Sequence, residues 1–421
     1  MADPDPIALP EHRPAIDPDR LLADLRTLRS FGATGAGVVR PSLSEVDLAA
    51  RGWLRDRMTE AGLEATIDGV GNVIGRSPNP GPALLIGSHS DTQPTGGWLD
   101  GAYGVICGLE VARALLADPA TAHLAVDAVA WVDEEATFVG CLGSRSYCGL
   151  LEDGEMADAR DNTGRTLTEA LTAAGLGGIG QRIVPGRYLG YLEIHIEQGA
   201  SLERDGNQLG IVTSIVGSRN QSVTFTGEQN HAGTTTMELR RDAGRAMVTF
   251  AAALDEIFRP LAGPATVWTI GRMTLYPGAS SIIPGRADLH LQYRDPEFER
   301  LVAMEEAVAG LADQVAGTSG VGVTVEPASR PMNPMAMDPD LRTHLSAAAE
   351  ATAPGRWVSM PSAAIHDAMF LAQVIPAAML FVPSIGGISH DFAEDTDDDD
   401  LTLGCQALIT ATHSTLAGAG R

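Results

Sequence analysis

Lysine is absent from the 421 residues, so all 29 strongly basic side chains are arginines. That excludes the P-loop lysine, a Schiff-base lysine and the carboxylated lysine that bridges metals in some barrel hydrolases. Acidic residues are in such excess that the formal net charge is -25. A nucleic-acid partner is therefore not expected, because cationic side chains must neutralise its phosphates. Cysteine is scarce. Cys107, Cys141, Cys148 and Cys405 form no disulfide framework and none has zinc-finger spacing, so reduced thiols in a cytoplasmic protein are expected. No apolar run approaches the ~20 residues of a membrane span. The opening Met1-Ala2-Asp3-Pro4-Asp5-Pro6 has no basic patch followed by an apolar stretch, so neither a membrane partner nor a secretory leader is expected.

What is present is a globular composition, 44% hydrophobic, in a chain long enough for two substantial cores. Residues up to about Asp17 look like a loose arm rich in Pro and Asp. Helical patterns follow at 20–30 and 44–61, then strand-like runs at 65–74, 83–86, 125–132 and 192–196, with a small-residue helix at 101–116. Strands alternating with helices predict an α/β domain with a mixed sheet flanked by helices, its ligands gathered at the carboxyl ends of strands. From about Val212 the pattern changes to strand 222–226, helix 242–258, strands 266–275 and 287–293, helix 298–315 and strand 321–325. That β-α-β-β-α-β order is that of a ferredoxin-like α+β sandwich. It reads as an insertion over 212–329, with the α/β domain made of 1–211 and 330–421. The run Asp397–Asp400 precedes a closing helix and suits its positive end.

The residues able to bear chemistry fall at strand ends. Gly87-Ser88-His89-Ser90-Asp91 follows an apolar run, and Asp91 lies on the same side of an extended chain as His89, where its carboxylate can orient the imidazole. Gly96-Gly97-Trp98-Leu99-Asp100 opens the small-residue helix. A mostly apolar strand, 126–132, delivers Asp133-Glu134-Glu135, and adjacent carboxylates on opposite faces can divide labour, one binding metal and one moving a proton. In Leu192-Glu193-Ile194-His195-Ile196-Glu197 the imidazole shares a face with two acids, and Gln198 follows at the exit. Ile388-Ser389-His390 puts a last imidazole on a turn. Together His89, Asp100, Glu135, His195 and His390 offer the imidazole and carboxylate donors of two zinc-like ions, with Glu134 to spare as a general base.

At these motifs the chain resembles the dinuclear-metal aminoacylase/carboxypeptidase superfamily, in its branch of N-carbamoyl-L-amino acid hydrolases, allantoate amidohydrolases and β-alanine synthase-type ureidopropionases. The branch markers are Glu193-Ile-His-Ile-Glu-Gln198-Gly, His231-Ala-Gly-Thr-Thr235, His366-Asp367-Ala and Val382-Pro-Ser with Gly387-Ile-Ser-His390. The resemblance implies a metal-dependent hydrolase of a linear amide or ureido bond in a small acid, with an inserted domain that acts as lid and dimerises the protein. Two divalent ions per subunit are implied, with His89 and His195 on one, Glu135 and His390 on the other, and Asp100 bridging. Zinc is the expected metal, though the same donors hold manganese, cobalt or nickel. Glu134 would activate water, and His231 would polarise the scissile carbonyl in the neighbouring subunit. Gln198, Arg294 and the segment around His366 would bind substrate. Where the branch has Asn before its Ile-Pro-Gly this chain has Ser281, and where it has Gly-Ala-Gly-His-Asp this chain has Ala363-Ala364-Ile365-His366-Asp367. Thr236 also replaces a usual Pro. Ser281 and Ile365 fall in the carboxylate clamp, so an ordinary N-carbamoyl α-amino acid is not the expected substrate. A dipeptidase or aminoacylase with the same centre, or a non-catalytic dimeric scaffold, are the alternatives; an intact base favours the enzyme.

Overall fold

A computed structural model describes residues 7–419 and divides them into two compact units. One comprises the described residues through Thr213 and those from Ala336 onward; the other is Ser214–Met335.

The first unit is built on a mixed sheet. Its centre is four parallel strands, in the spatial order Ala377–Val382, Tyr188–Ile196, Ala83–His89 and Val126–Trp131. Three of these are buried along their whole length, and the fourth, Tyr188–Ile196, is half-exposed only at Leu189. This explains their near-continuous apolar sequences: a strand covered on both faces needs no polar alternation. It also means that Glu193 and His195 are not on a water-facing side; each is 1% exposed. Antiparallel strands flank this core. Leu209–Ile215 pairs with Ala377–Val382, and Val73–Arg76 pairs with Val126–Trp131.

The single strand expected over 65–74 is instead a hairpin of Glu64–Ile67 and Val73–Arg76. Asp68 makes the turn by accepting the N–H groups of Val70, Gly71 and Asn72, each at 3.0 Å. An Asp that bonds the backbone just ahead of it is a turn signal, and it outweighs the apolar pattern on either side. The helix Ala102–Ala117 packs on the sheet and is buried along nearly its entire length. Of the expected loose arm, residues 1–6 lie outside the described residues. Nearer the first helix the arm is tied down, since Gln406 accepts Ile16 N–H at 3.2 Å and donates to Pro14 O at 3.0 Å.

The second unit is a four-stranded antiparallel sheet ordered Val267–Tyr276, Arg286–Asp295, Gly217–Thr226 and Gly322–Pro327. Helices Ala243–Phe258 and Phe298–Ser319 cover it around a core of Phe225, Phe250, Phe258, Leu289, Tyr293 and Met304. This is the ferredoxin-like arrangement the sequence predicted. Ala287, Leu289, Leu291 and Tyr293 alternate inward, each at most 1% exposed. Among the described residues no helix is long and apolar enough to cross a membrane, and the cysteines are free thiols.

Candidate metal centre

The carboxyl ends of the parallel strands bring together side chains far apart in sequence. His89 ends its strand, His195 comes one residue before the end of the next, and Asp133-Glu134-Glu135 leaves the third. Asp100 lies between them at the start of the buried helix. The donor atoms of His89, Asp100 and His195 all lie within 4.8 Å of one another, and so do those of Asp100, Glu135 and His390. Asp100 is common to both groups and splits its oxygens. Its Oδ1 faces His195 Nε2 at 3.1 Å and His89 Nε2 at 3.4 Å, while Oδ2 faces His390 Nε2 at 3.2 Å.

The tautomers explain why this arrangement calls for cations. His89 Nδ1–H donates to Asp91 O at 3.0 Å and His195 Nδ1–H donates to Ile196 O at 2.8 Å. Each ring therefore turns Nε2 toward the Asp100 carboxylate, and that contact is favourable only with positive charge in it, either a proton on Nε2 or a shared cation. Burial disfavours charge on Asp100, yet hydrogen bonds with His195, His390 and His89 hold its carboxyl well below the usual range. Burial likewise opposes protonation of His89, but Glu134, Asp100 and Asp91 raise its pKa well above the ordinary imidazole value. Burial lifts Glu135 to about 7, with Asp100 adding to the push. Buried negative charge of this density is relieved either by protons or by divalent cations, and the donors present fit the latter.

Glu134 stands apart from both ligand groups. Its Oε2 lies 3.8 Å from His89 Nε2, and its Oε1 accepts from Cys141 Sγ at 3.6 Å. Burial pushes its carboxyl well up, against the pull of His89 and with Glu135 assisting. Asp133 instead folds its own loop, accepting the N–H groups of Thr137 at 2.8 Å and Val139 at 2.7 Å.

Asp91 behaves differently from the expectation. Its main-chain carbonyl, not its carboxylate, holds His89; the carboxylate lies 3.8 Å from Nδ1 and accepts Glu135 N–H at 3.2 Å. The buried Arg51 lies 3.8 Å from Asp91 Oδ1, the same distance as His89 Nδ1. Gln198 donates from Nε2 to Asp100 Oδ2 at 3.0 Å and to Ser389 Oγ at 3.2 Å. His366, placed by the sequence among the substrate residues, is 3% exposed and packs edge-on against His195 with ring centroids 4.6 Å apart. Burial and the neighbouring His195 hold it well below the ordinary histidine value. Ile365 beside it is half-buried.

Three further candidates belong to the second unit. His231 pairs in register with Ile282, and Ala232 N–H donates to Ser281 O at 3.0 Å, so His231 and Ser281 are neighbours there. The exposed His231 ring accepts Gly233 N–H at Nδ1 (2.9 Å) and Thr234 N–H (3.2 Å), which leaves the proton on Nε2, aimed outward as a donor. Arg294 is half-buried, with Nε donating to Gln292 Oε1 at 3.1 Å.

Sequence reasoning missed Gln93 and Cys141. Gln93 grips both oxygens of Glu135, through N–H at 3.2 Å and Nε2 at 2.6 Å. Its position two residues past Asp91, in the His89 loop, is the signal that could have found it. Cys141 was read only as one of the scattered thiols.

Comparison with known proteins covers most of the chain. Residues 85–413 match the model for Peptidase family M20/M25/M40. An N-carbamoyl-L-amino-acid amidohydrolase from Paenarthrobacter aurescens is 36% identical over 93% of this chain and 96% of its own. An allantoate amidohydrolase from Bacillus subtilis (strain 168) is 33% identical over 90% of this chain and 93% of its own. The crystal structure of an amidase of the hydantoinase/carbamoylase family from Burkholderia phymatum superposes with a TM-score of 0.91 at 53% identity, covering 98% of this chain and 100% of that one.

Proposed function

The chain belongs to the peptidase family M20/M25/M40, in the company of N-carbamoyl-L-amino-acid and allantoate amidohydrolases, and we propose that it hydrolyses a linear amide or ureido C–N bond in a small acid. The observation that carries this reading is the pair of ligand groups sharing Asp100, with Glu134 free beside them. His89 and His195 would hold one divalent ion, Glu135 and His390 the other, and Asp100 would offer one oxygen to each. Zinc suits this mixture of imidazole and carboxylate, and manganese, cobalt or nickel can replace it. Ions bound there would polarise the scissile carbonyl and make a water acidic enough to ionise near neutral pH.

The chain's own groups do the rest. As water adds to the carbonyl carbon, Glu134 accepts its proton at Oε2 and returns it to the departing nitrogen while the C–N bond breaks. Cys141, donating to Oε1, keeps the other oxygen from rotating into that role. His231, with Nδ1 occupied by two backbone donors, offers Nε2–H to the carbonyl oxygen as negative charge grows on it. Gln198 presents an amide to the substrate, and Arg294 pairs with its acidic group. Ser281 is too short to supply the amide found there in the branch, and Ile365 puts a branched chain where the branch has glycine. With both positions changed, a bulkier or differently charged acid than a simple N-carbamoyl amino acid is the substrate we propose.

A homodimer is part of the same reading. Val267–Tyr276 is an edge strand of the second unit's sheet, and Val267, Met273, Leu275 and Tyr276 on it are 41–53% exposed. An exposed apolar edge invites pairing with another chain, here a second copy.

The test is a panel of N-carbamoyl-L-amino acids, allantoate, N-acyl amino acids and dipeptides, offered to metal-loaded and metal-depleted protein. Ureido hydrolysis yields amine plus a carbamic acid that collapses to carbon dioxide and ammonia, so metal-dependent ammonia release is the expected signature. Turnover that survives verified metal removal, or confined to dipeptides, would overturn the proposal.

A further inference from the structure

We propose that Glu394 is a positioning residue of the dinuclear centre, a buried carboxylate that locks the Asp100 loop to the His390 loop. Its Oε1 accepts Leu99 N–H at 3.1 Å and Asp100 N–H at 3.0 Å. Its Oε2 accepts Ser389 Oγ–H at 2.8 Å, and Ser389 is the residue before His390. One side chain thus holds the main chain of the shared carboxylate ligand and the turn bearing an imidazole ligand 290 positions later in the sequence. The fit depends on residue 97 being glycine, since a Cβ there would fall 1.9 Å from Glu394 Oε1.

Glu394 is 2% exposed and lies beside the charge of Asp100, so its location is electrostatically unfavourable. A group needed only for packing would be neutral, because burying a carboxylate costs several kcal/mol unless its hydrogen bonds are satisfied. Here both oxygens are satisfied, by groups leading directly to two ligands. The two ion positions also depend on it unequally. His89 and His195 are oriented by the carbonyls of Asp91 and Ile196, without Glu394. His390 sits on a turn with φ of 55° and a half-exposed side chain; Ser389–Glu394, at 2.8 Å, is the shortest of the bonds that hold this turn, beside Thr95 Oγ1 to His390 O at 3.3 Å and Gln198 Nε2 to Ser389 Oγ at 3.2 Å.

This rests on the dinuclear reading above, and the experiment separates the two. Metal-depleted protein is titrated with Zn2+ by calorimetry. Wild type should bind two ions; one ion or none would sink the dinuclear reading itself. Glu394→Ala should keep the first ion near wild-type affinity and bind the second about ten- to a hundredfold more weakly, the usual effect of removing a ligand's supporting partner. Glu394→Gln should recover most of that loss, because it retains an oxygen for the two N–H groups and can still bond Ser389. If Glu394→Ala does not fold by circular dichroism, Ser389→Ala, which removes the Oε2 tie together with the contact from Gln198 Nε2 while leaving the Leu99 and Asp100 bonds, should show the same second-ion loss in milder form. Unchanged affinity in the folded variant, equal weakening of both ions, or no recovery with glutamine would overturn the role assigned to Glu394.

Discussion

Replacing Gly101 by alanine should disable the centre without touching a ligand. Gly101 adopts φ 65° and ψ -46° where it opens the helix Ala102–Ala117, a conformation hostile to any residue with a Cβ. A Cβ built there lies 2.4 Å from His89 Cδ2 and 2.4 Å from His89 Nε2, whereas ordinary contact begins at 3.4 Å, so the ring would have to retreat by about 1 Å. It has nowhere to go: His89 is 2% exposed and its Nδ1 is bonded to Asp91 O. Backbone strain of this kind costs about 1–3 kcal/mol, and a displacement of ~1 Å in a reacting constellation costs on the order of a hundredfold in rate. Gly101→Ala should therefore fold, bind metal poorly at the His89–His195 position, and lose about two orders of magnitude in kcat/KM. The matched control is Gly52→Ala, in the helix Glu45–Glu60, where a Cβ meets nothing within 4 Å. That change should stabilise by about 0.5–1 kcal/mol and leave kinetics alone. Metal content by mass spectrometry, thermal melts and kcat/KM decide it. Wild-type metal content and kcat/KM in Gly101→Ala would refute the claimed coupling between this backbone and His89.

Glu134→Gln should retain both ions and the fold while losing a hundredfold or more in kcat, as expected on removing a general base; Glu135→Gln should instead release the His390 ion in a metal titration. The reverse pattern would exchange their roles. For His231, mixing inactive His231→Ala with inactive Glu134→Gln under subunit exchange should regain part of the activity, because one site per mixed dimer has both groups intact. No recovery despite exchange shown by mass spectrometry would remove His231 from the partner's site. Ser281→Asn with Ile365→Gly should raise kcat/KM on simple N-carbamoyl-L-amino acids by roughly ten- to a hundredfold, the worth of a restored hydrogen bond to a charged group; no gain would mean that these positions do not set the preference.

The parts of this molecule that could be seen in the sequence are those whose cause is local. Strands 83–89 and 126–131 announce themselves because burial on both faces favours runs that are mostly apolar, and the candidate ligands follow because a parallel strand must stop in a turn where polar side chains can converge. The ferredoxin-like unit is legible for a related reason: its sheet has one covered face, so Ala287, Leu289, Leu291 and Tyr293 mark the period directly. What could not be seen depends on partners distant in the chain. The hairpin of Glu64–Ile67 and Val73–Arg76 looks like one strand until Asp68 is known to spend its carboxylate on the turn. Asp91 is close enough in sequence to hold His89 with either its carbonyl or its carboxylate; the carbonyl does so, while the carboxylate accepts the N–H of Glu135, 44 residues later. Glu394 is one acid among many in the segment after His390, and only its bonds to Leu99 and Asp100, 295 and 294 positions away, distinguish it from its solvated neighbours. The contrast is physical. Ligands must be particular residue types, because only imidazole, thiolate and carboxylate hold such ions, whereas the groups that aim them need only be hydrogen-bond partners in the right place. A backbone carbonyl serves as well as a side chain for that task, and it leaves no mark in the sequence.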